Sequence, residues 1–462
     1  MIKINEDYEL EIVDYGSNGE GIAKLNGLTI FVPQTIKGEI VLATIKKIQN
    51  NYAIAFLKEI FVPSPNRVET KCPKFVQCGG CQLMHIVHGE QLRIKKNIVK
   101  NAFRNIAKID AFVLPCIESK ENFKYRNKIE LAVSQNDEGI INIGFFEDNS
   151  HNVIAIDNCF LTCDWLSKLI LAIKKYMQEE KVSAFNPKSL VGTIKHIVAR
   201  MIDDSLMLTI VIAEDTLPNQ NKLIKILSQE FSSFSLFLNI NKGKYGEIFS
   251  ENFKLVYGEK TQRLTTFEIK HEISPQSFFQ INSDIQNKIY QKVLDLIEPN
   301  NIVVDAYSGA GLLSAILAKK SKMVYGIEIV EKAVENAKNL ARENEIKNMF
   351  PLCGDTAKVL PKLSKQIGKE FHENTTVICD PPRKGCDKVV LDCLLCSKPK
   401  NIILISCNPA TLARDVAYLT NSAKIYPERQ YDTIYELSFI QPFDMFPQTR
   451  HVETMVQLIL KN

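Results

Sequence analysis

The rhythm of hydrophobic and polar positions changes three times along the 462 residues. Between residues 8 and 60, five short runs (YELEIVD, GEGIAKL, LTIFVP, EIVLATIKKI and YAIAFLKEIF) are β-like in pattern and separated by Gly, Asn and Pro turns. Five short strands in so little chain predict a small OB-like β-barrel. The segment FVPSPNRVETKCP has three prolines and little periodicity, which marks a linker. Residues 115–270 mix strand-like pieces (KIELAV, IINIGFF, SLMLTIVIA) with helical ones (LSKLILAIKKYM, LIKILSQEF), the pattern of an α+β unit. From about residue 285 strands and helices alternate. NIVVD, MVYGIEI, TVICD and NIILIS read as buried strands with helices between them, which predicts a doubly wound α/β sheet. The expected organisation is multidomain: an OB-like barrel over 1–62, an α+β middle domain over 63–270, and a Rossmann-like α/β domain over 271–462. A helix near residues 90–110 is available to pack on the last of these.

A composition of 45% hydrophobic and 24% charged residues is that of a soluble globular protein. No apolar run reaches bilayer length, and the opening MIKINEDYEL lacks the apolar core of an export signal, so the expectation is a cytoplasmic chain with no membrane partner. Nothing in the sequence calls for an obligate protein partner. Twelve cysteines in such a chain point to thiol chemistry or metal rather than disulfides. A net charge of +4 is too mild to show nucleic-acid binding, but residues 66–130 hold 13 Lys or Arg against 6 Asp or Glu. Within that stretch Arg93, Lys96, Lys100, Arg104 and Lys108 share one helix face opposite Leu92, Val99, Phe103 and Ile106. Such a face is either simply solvated or a surface for phosphate.

Three constellations carry chemistry. In VVDAYSGAGLLS (303–314) a strand ends at Asp305, and Gly309 and Gly311 let the following turn approach a ligand. Ser314 replaces the third glycine of a dinucleotide fingerprint, so a nicotinamide cofactor is not favoured. Glu328 ends the next strand, where a carboxylate can accept ribose hydroxyls, and Asp355 follows the third; this acidic series looks like an S-adenosylmethionine site. In CDPPRKG (379–385) two prolines rigidify a strand-end turn carrying Asp380, and Arg383 stands where amino-methylating enzymes place an aromatic. In ISCNPATLARD, Cys407 falls between a strand and a helix capped by Asn408 and Pro409, where the helix dipole favours a thiolate. It reads as a nucleophile or as a small buried hydrophobe. Finally CPKFVQCGGC spaces Cys72, Cys78 and Cys81 as C-x5-C-x2-C, with Cys159 or Cys163 as a fourth thiolate, close to some iron–sulfur patterns. Zinc held with His85 and His88 is the rival.

SPQSFFQIN (274–282), DAYSGAGLLS, GIE (326–328), DPPRKG, SCNPATLARD and FPQTRHVET (446–454) together resemble the RNA uracil-C5 methyltransferases that make 5-methyluridine, in particular the iron–sulfur branch acting on 23S ribosomal RNA. The resemblance spans nearly the whole chain. It implies that the barrel is a TRAM domain, that residues 63–270 carry the cluster and much of the RNA contact, and that 271–462 is an S-adenosylmethionine-dependent methyltransferase domain. By the same resemblance Gln280, Tyr307, Glu328 and Asp380 line the cofactor site, with Asp355 at its adenine side. Cys407 is implied as nucleophile, Glu453 as base, and Cys72, Cys78, Cys81 and Cys159 as ligands of a [4Fe-4S] cluster. Leu312 stands where some members place an asparagine against the cofactor. The implied partner is RNA, with 23S ribosomal RNA favoured and transfer RNA the alternative. Two other readings remain: a thiol hydrolase using His451 as base, and a non-catalytic RNA-binding or redox module.

Overall fold

A computed structural model of the protein describes residues 2–147, 150–243, 247–421 and 435–461. Residues 7–62 form five strands closed into a barrel in the order 1-2-3-5-4. Its interior follows from alternation: in Asp7–Tyr15, Leu10 and Ile12 are buried while Glu9 and Glu11 between and beside them face water.

The middle of the chain builds a seven-stranded sheet. From one edge its strands are Phe253–Tyr257, Phe234–Ile240, Ser205–Ile212, Ile194–Ile202, Lys128–Gln135, Ile141–Phe146 and Val153–Ala155. Only Ser205–Ile212 and Phe234–Ile240 run parallel, and the helix Gln220–Glu230 makes the crossover that a parallel pair requires. This helix and Trp165–Glu179 share a core with Leu131, Ile197, Ala199, Leu208 and Ile210 on one face of the sheet.

The C-terminal sheet also has seven strands, ordered Met349–Cys353, Met323–Glu328, Ile302–Asp305, Thr375–Cys379, Asn401–Ser406, Glu453–Leu460 and Tyr435–Phe443. The first five are parallel, and the last two are antiparallel to their neighbours. Val303, Val324, Ile378 and Ile403 bury against helices on one side, and Val304, Val377, Ile402 and Leu404 against helices on the other. Burial on both faces explains why these strands read as continuous apolar runs.

Two segments that precede residue 274 dock on the C-terminal domain, the first being the helix that the sequence made available for it. The helix His88–Ala102, continued by a π-helical turn at Phe103–Ala107, packs on the helix Pro409–Thr420, and Val113 and Ile117 bridge to Ile440 and Phe443. The hairpin Gln262–Thr266/Ile269–Ile273 straddles the expected boundary at residue 270 and packs on the helices Leu312–Ala318 and Glu331–Glu343. Periodicity reveals an element and its apolar face, but not which sheet that face will cover. Among the described residues no helix is long and apolar enough to cross a membrane.

Candidate active site

The carboxyl ends of the parallel strands bring the acidic series to one edge. Asp305 is buried and accepts a hydrogen bond from Ser314 Oγ at 2.7 Å; burial pushes its pKa up to about 6. Glu328 is oriented by two amides: Gly309 N donates to one carboxylate oxygen at 3.0 Å and Val330 N to the other at 2.8 Å. Each oxygen keeps a free lone pair for a ligand hydroxyl. Asp355 caps the helix Thr356–Ile367, accepting from Ala357 N at 2.9 Å. Tyr307 packs at the edge of the core, and burial with the nearby Cys386 thiol keeps its hydroxyl protonated.

The reversed last strand completes the edge. Because Glu453–Leu460 runs antiparallel to Asn401–Ser406, with Ser406 paired to Thr454, its first residue lies at the end where the parallel strands finish. Continuing the register by one residue sets Cys407 opposite Glu453. Asn408 caps the following helix through Ala410 N at 3.1 Å, with Pro409 at its first position, as the sequence implied. The expected thiolate is not what the free site favours. Burial, the Glu453 carboxyl and Asp380 raise the Cys407 thiol, and Arg383, which donates to its sulfur, only partly opposes them. Glu453 is 5% exposed, and burial together with Asp380 holds its carboxyl well above the ordinary range, again against the pull of Arg383. Asp380 opens to the cleft but is otherwise enclosed by protein, and that enclosure with Asp305 pushes its pKa up to about 7. Arg383 is thus the cation that moves both facing groups toward their anionic forms.

Gln280 arrives from outside the sheet on the segment 274–282. Asn127 fastens that segment, donating from Nδ2 to Gln280 O at 2.9 Å and from its amide to Ile281 O at 3.0 Å, while Arg200 Nη2 donates to Ser277 O at 3.2 Å. Cys72, Cys78, Cys81 and Cys159 lie within electrostatic reach of one another, and Cys72, Cys81 and Cys159 pack around Phe75, Met84 and Leu161. Burial and the neighbouring thiols raise Cys78 and Cys81. Cys163 is exposed, and its thiol donates to Lys124 O at 3.4 Å. Among the described residues no three His, Cys, Asp or Glu side chains close up as ligands of one metal ion. His85, a ligand in the zinc reading, is buried against Phe75 with both ring nitrogens unpartnered.

Residues 88–461 match the tRNA (Uracil-5-)-methyltransferase family, and residues 3–58 match the TRAM domain. The chain belongs to the tRNA (uracil-5-)-methyltransferase family. A protein of Clostridium acetobutylicum named as an uncharacterized RNA methyltransferase is 37% identical over 98% of this chain and 97% of its own length. One of the same description from Clostridium tetani is 35% identical over 98% and 96%. Among solved structures, the Pyrococcus abyssi tRNA (uracil-54, C5)-methyltransferase, in complex with S-adenosyl-L-homocysteine, superimposes with a TM-score of 0.75 at 27% identity, covering 98% of this chain and 99% of that one.

This RNA methyltransferase therefore has a TRAM barrel followed by a C-terminal Rossmann-like domain, the fold class expected from the sequence, and the thiol-hydrolase and non-catalytic readings are set aside. Three groups of residues escaped the sequence reading. Arg383 was noted only as a departure from an aromatic. Asn127, just before one strand of the middle sheet, and Arg200, within another, lie more than 70 residues before the segment they hold. Lys95 was passed over in favour of its exposed neighbours, yet it is buried with its Nζ against Asp444 and 2.8 Å from Phe446 O, nine and seven residues before Glu453. The one available signal was its place on the apolar side of an otherwise basic helix.

Proposed function

We propose that the protein methylates C5 of a uridine in RNA, with 23S ribosomal RNA the favoured substrate, through a covalent bond between Cys407 and C6 of the uracil. The observation that carries this reading is the facing pair Cys407 and Glu453, set beside Asp380 and Arg383 at the strand ends. S-adenosylmethionine supplies an electrophilic methyl group to a site lined by Gln280, Tyr307, Glu328, Asp355 and Asp380. C5 of uracil is a weak nucleophile. Addition of the Cys407 thiolate to C6 moves the double-bond electrons toward C5 and O4, and C5 can then take the methyl group. Glu453 removes the C5 proton, the electrons return to form C5=C6, and the C6–S bond breaks to release the thiolate. Arg383 supports both anions, and Asn127 and Arg200 hold the segment that presents Gln280.

Cys72, Cys78, Cys81 and Cys159 are proposed as the ligands of a [4Fe-4S] cluster. A single zinc ion would draw its sulfurs to within about 4 Å of one another, whereas an iron–sulfur cube binds each thiolate at a separate iron and spreads them further. What supports the assignment is the convergence of the four thiols, which lie within electrostatic reach of one another. Anaerobically purified protein should contain about four irons per chain. Cys159→Ser should lose them and Cys163→Ser should retain them; zinc alone, or the reverse pattern, overturns the assignment.

Transfer RNA is the second reading, favoured by the substrate of the P. abyssi enzyme. Mapping 5-methyluridine across ribosomal and transfer RNA in cells with and without the gene decides between them. A 23S position that loses its methyl group supports the first reading, and one in transfer RNA the second.

A further inference from the structure

Next to the segment 274–282 lies a cavity of about 380 Å³, where the edge of the middle sheet, the hairpin 262–273 and the helix Glu331–Glu343 meet. Ala310 of the glycine turn and Leu312, which stands at a position some relatives turn toward the cofactor, close its inner end, while Cys407, Glu453, Gln280, Tyr307, Glu328, Asp355 and Asp380 lie outside it. Its walls include four aromatic rings, Phe237 and Phe253 from the sheet and Phe278 and Phe279 from the segment, with Lys260 and Lys332 among them. The Phe279 ring is fixed, nearly parallel to His271 at 6.0 Å and 5.7 Å from the Arg200 guanidinium, whereas Phe278 is 82% exposed. Lys332 Nζ is held 2.8 Å from Gln276 Oε1. Glu272 and Glu343 also line the cavity, but Arg263 faces both, with its Nε 3.0 Å from Glu272 Oε1. Lys332 is hydrogen-bonded to the uncharged Gln276, and among the described residues neither lysine forms an ion pair with these carboxylates.

The volume suits a ligand of small-molecule size. Several flat π faces with ammonium groups beside them are the means by which proteins hold a single-stranded nucleotide, the base stacked and its phosphates against cations. We propose that this cavity takes one unpaired base of the RNA strand that carries the target uridine, with Lys260 and Lys332 against the phosphates flanking it. The proposal rests on the reading of Cys407 as the site of the target uridine. It gives the enzyme a second point of contact by which a uridine in the right loop is told from other uridines. Phe278 and Phe279 immediately precede Gln280, so a base in the cavity would bear directly on the segment that faces the methyl donor.

The test is an abasic scan. In a stem-loop substrate each nucleotide except the target uridine is replaced in turn by an abasic residue, and kcat/KM for methyl transfer is measured for the wild type and for Phe253→Ala. One unpaired position outside the target should cost the wild type about tenfold, the scale of one lost stacking contact. Phe253→Ala should lose a similar factor on intact RNA and be indifferent to the abasic residue at that position. Lys260→Gln/Lys332→Gln, which leaves the apolar packing in place, should flatten the salt dependence of RNA binding by a slope of up to about two. S-adenosylhomocysteine affinity, measured by calorimetry, should be the same in all three proteins. Equal abasic penalties in wild type and Phe253→Ala, or no sensitive position, overturn the proposal. So does a loss of S-adenosylhomocysteine affinity, which would give the cavity to the methyl donor. If the underlying reading is wrong, the wild type itself leaves no methyl group on uridine C5 in any substrate, a result distinct from each of these.

Discussion

Replacing Lys95 by methionine keeps the length of the side chain and removes its charge from a fully enclosed ion pair. Both side chains are 0% exposed, and Lys95 Nζ also donates to Phe446 O at 2.8 Å. Burial pushes the Asp444 carboxyl up, but Lys95 and His88 outweigh it and hold the group below the usual range. Breaking one side of such a pair costs about 3–5 kcal/mol. His88 Nε2 remains 2.8 Å from the other Asp444 oxygen, so the lower end, about 3 kcal/mol, is expected. At roughly 2–4 °C per kcal/mol for a unit of this size, calorimetry should show the transition lowered by about 6–12 °C. The folded pKa of Asp444 lies below its unfolded value, so the pair's contribution is present above about pH 4 and lost as pH falls through the folded pKa. The gap between wild type and variant should therefore be constant near neutrality and close only in acid. Lys95→Met/Asp444→Asn should recover at least half of the loss. A drop of less than about 2 °C, or a double variant as unstable as the two single losses combined, would refute this reasoning.

Asp305→Asn should change the pH profile of stability. Its raised carboxyl favours the fold when protonated, a contribution lost as pH rises through about 6, so the variant should gain on the wild type between pH 4 and pH 7 by up to about 3 kcal/mol; parallel urea midpoints across that range would count against it. Gly311→Ala puts a Cβ 2.6 Å from Met349 Cε and 2.8 Å from Ala337 Cβ at a φ of +83°, and should cost about 2–5 kcal/mol with loss of S-adenosylhomocysteine binding, whereas unchanged binding would mean that the turn does not shape that site. Arg383→Gln removes the cation that lowers Cys407, so the pH profile of Cys407 alkylation should move upward; an unmoved profile would show that the guanidinium does not act on the thiol.

What was legible in the sequence was whatever repeats locally. Alternation marked the five barrel strands, and the buried runs ending at Asp305, Glu328 and Ser406 marked the parallel sheet. The carboxylates and Cys407 were visible because each follows a strand end, a position with a chemical meaning of its own. The pairing of Cys407 with Glu453 was implied only by family resemblance, because it depends on the direction of the last strand. Contacts of long sequence separation were not legible: Asn127 on Gln280, Arg200 on Ser277 and Lys95 on Asp444 leave no periodic trace. Nor was the state of Cys407 legible, since the helix terminus argues for a thiolate while burial and two carboxyl groups argue for a thiol.

Methyl transfer to RNA carrying 5-fluorouridine at the target should stall at the methylated adduct, because C5 then has no proton for Glu453 to remove. With radiolabelled S-adenosylmethionine, a denaturing gel should show a slower band that carries the label, and peptide mapping should place the RNA on Cys407. Glu453→Gln should accumulate the same adduct even on ordinary RNA, since addition and transfer precede the step it impairs, and Cys407→Ala should give no adduct with either substrate. An adduct that forms equally with Cys407→Ala, or that maps to Cys379 or Cys386, would contradict the mechanism and return Cys407 to the status of a buried strand-end residue.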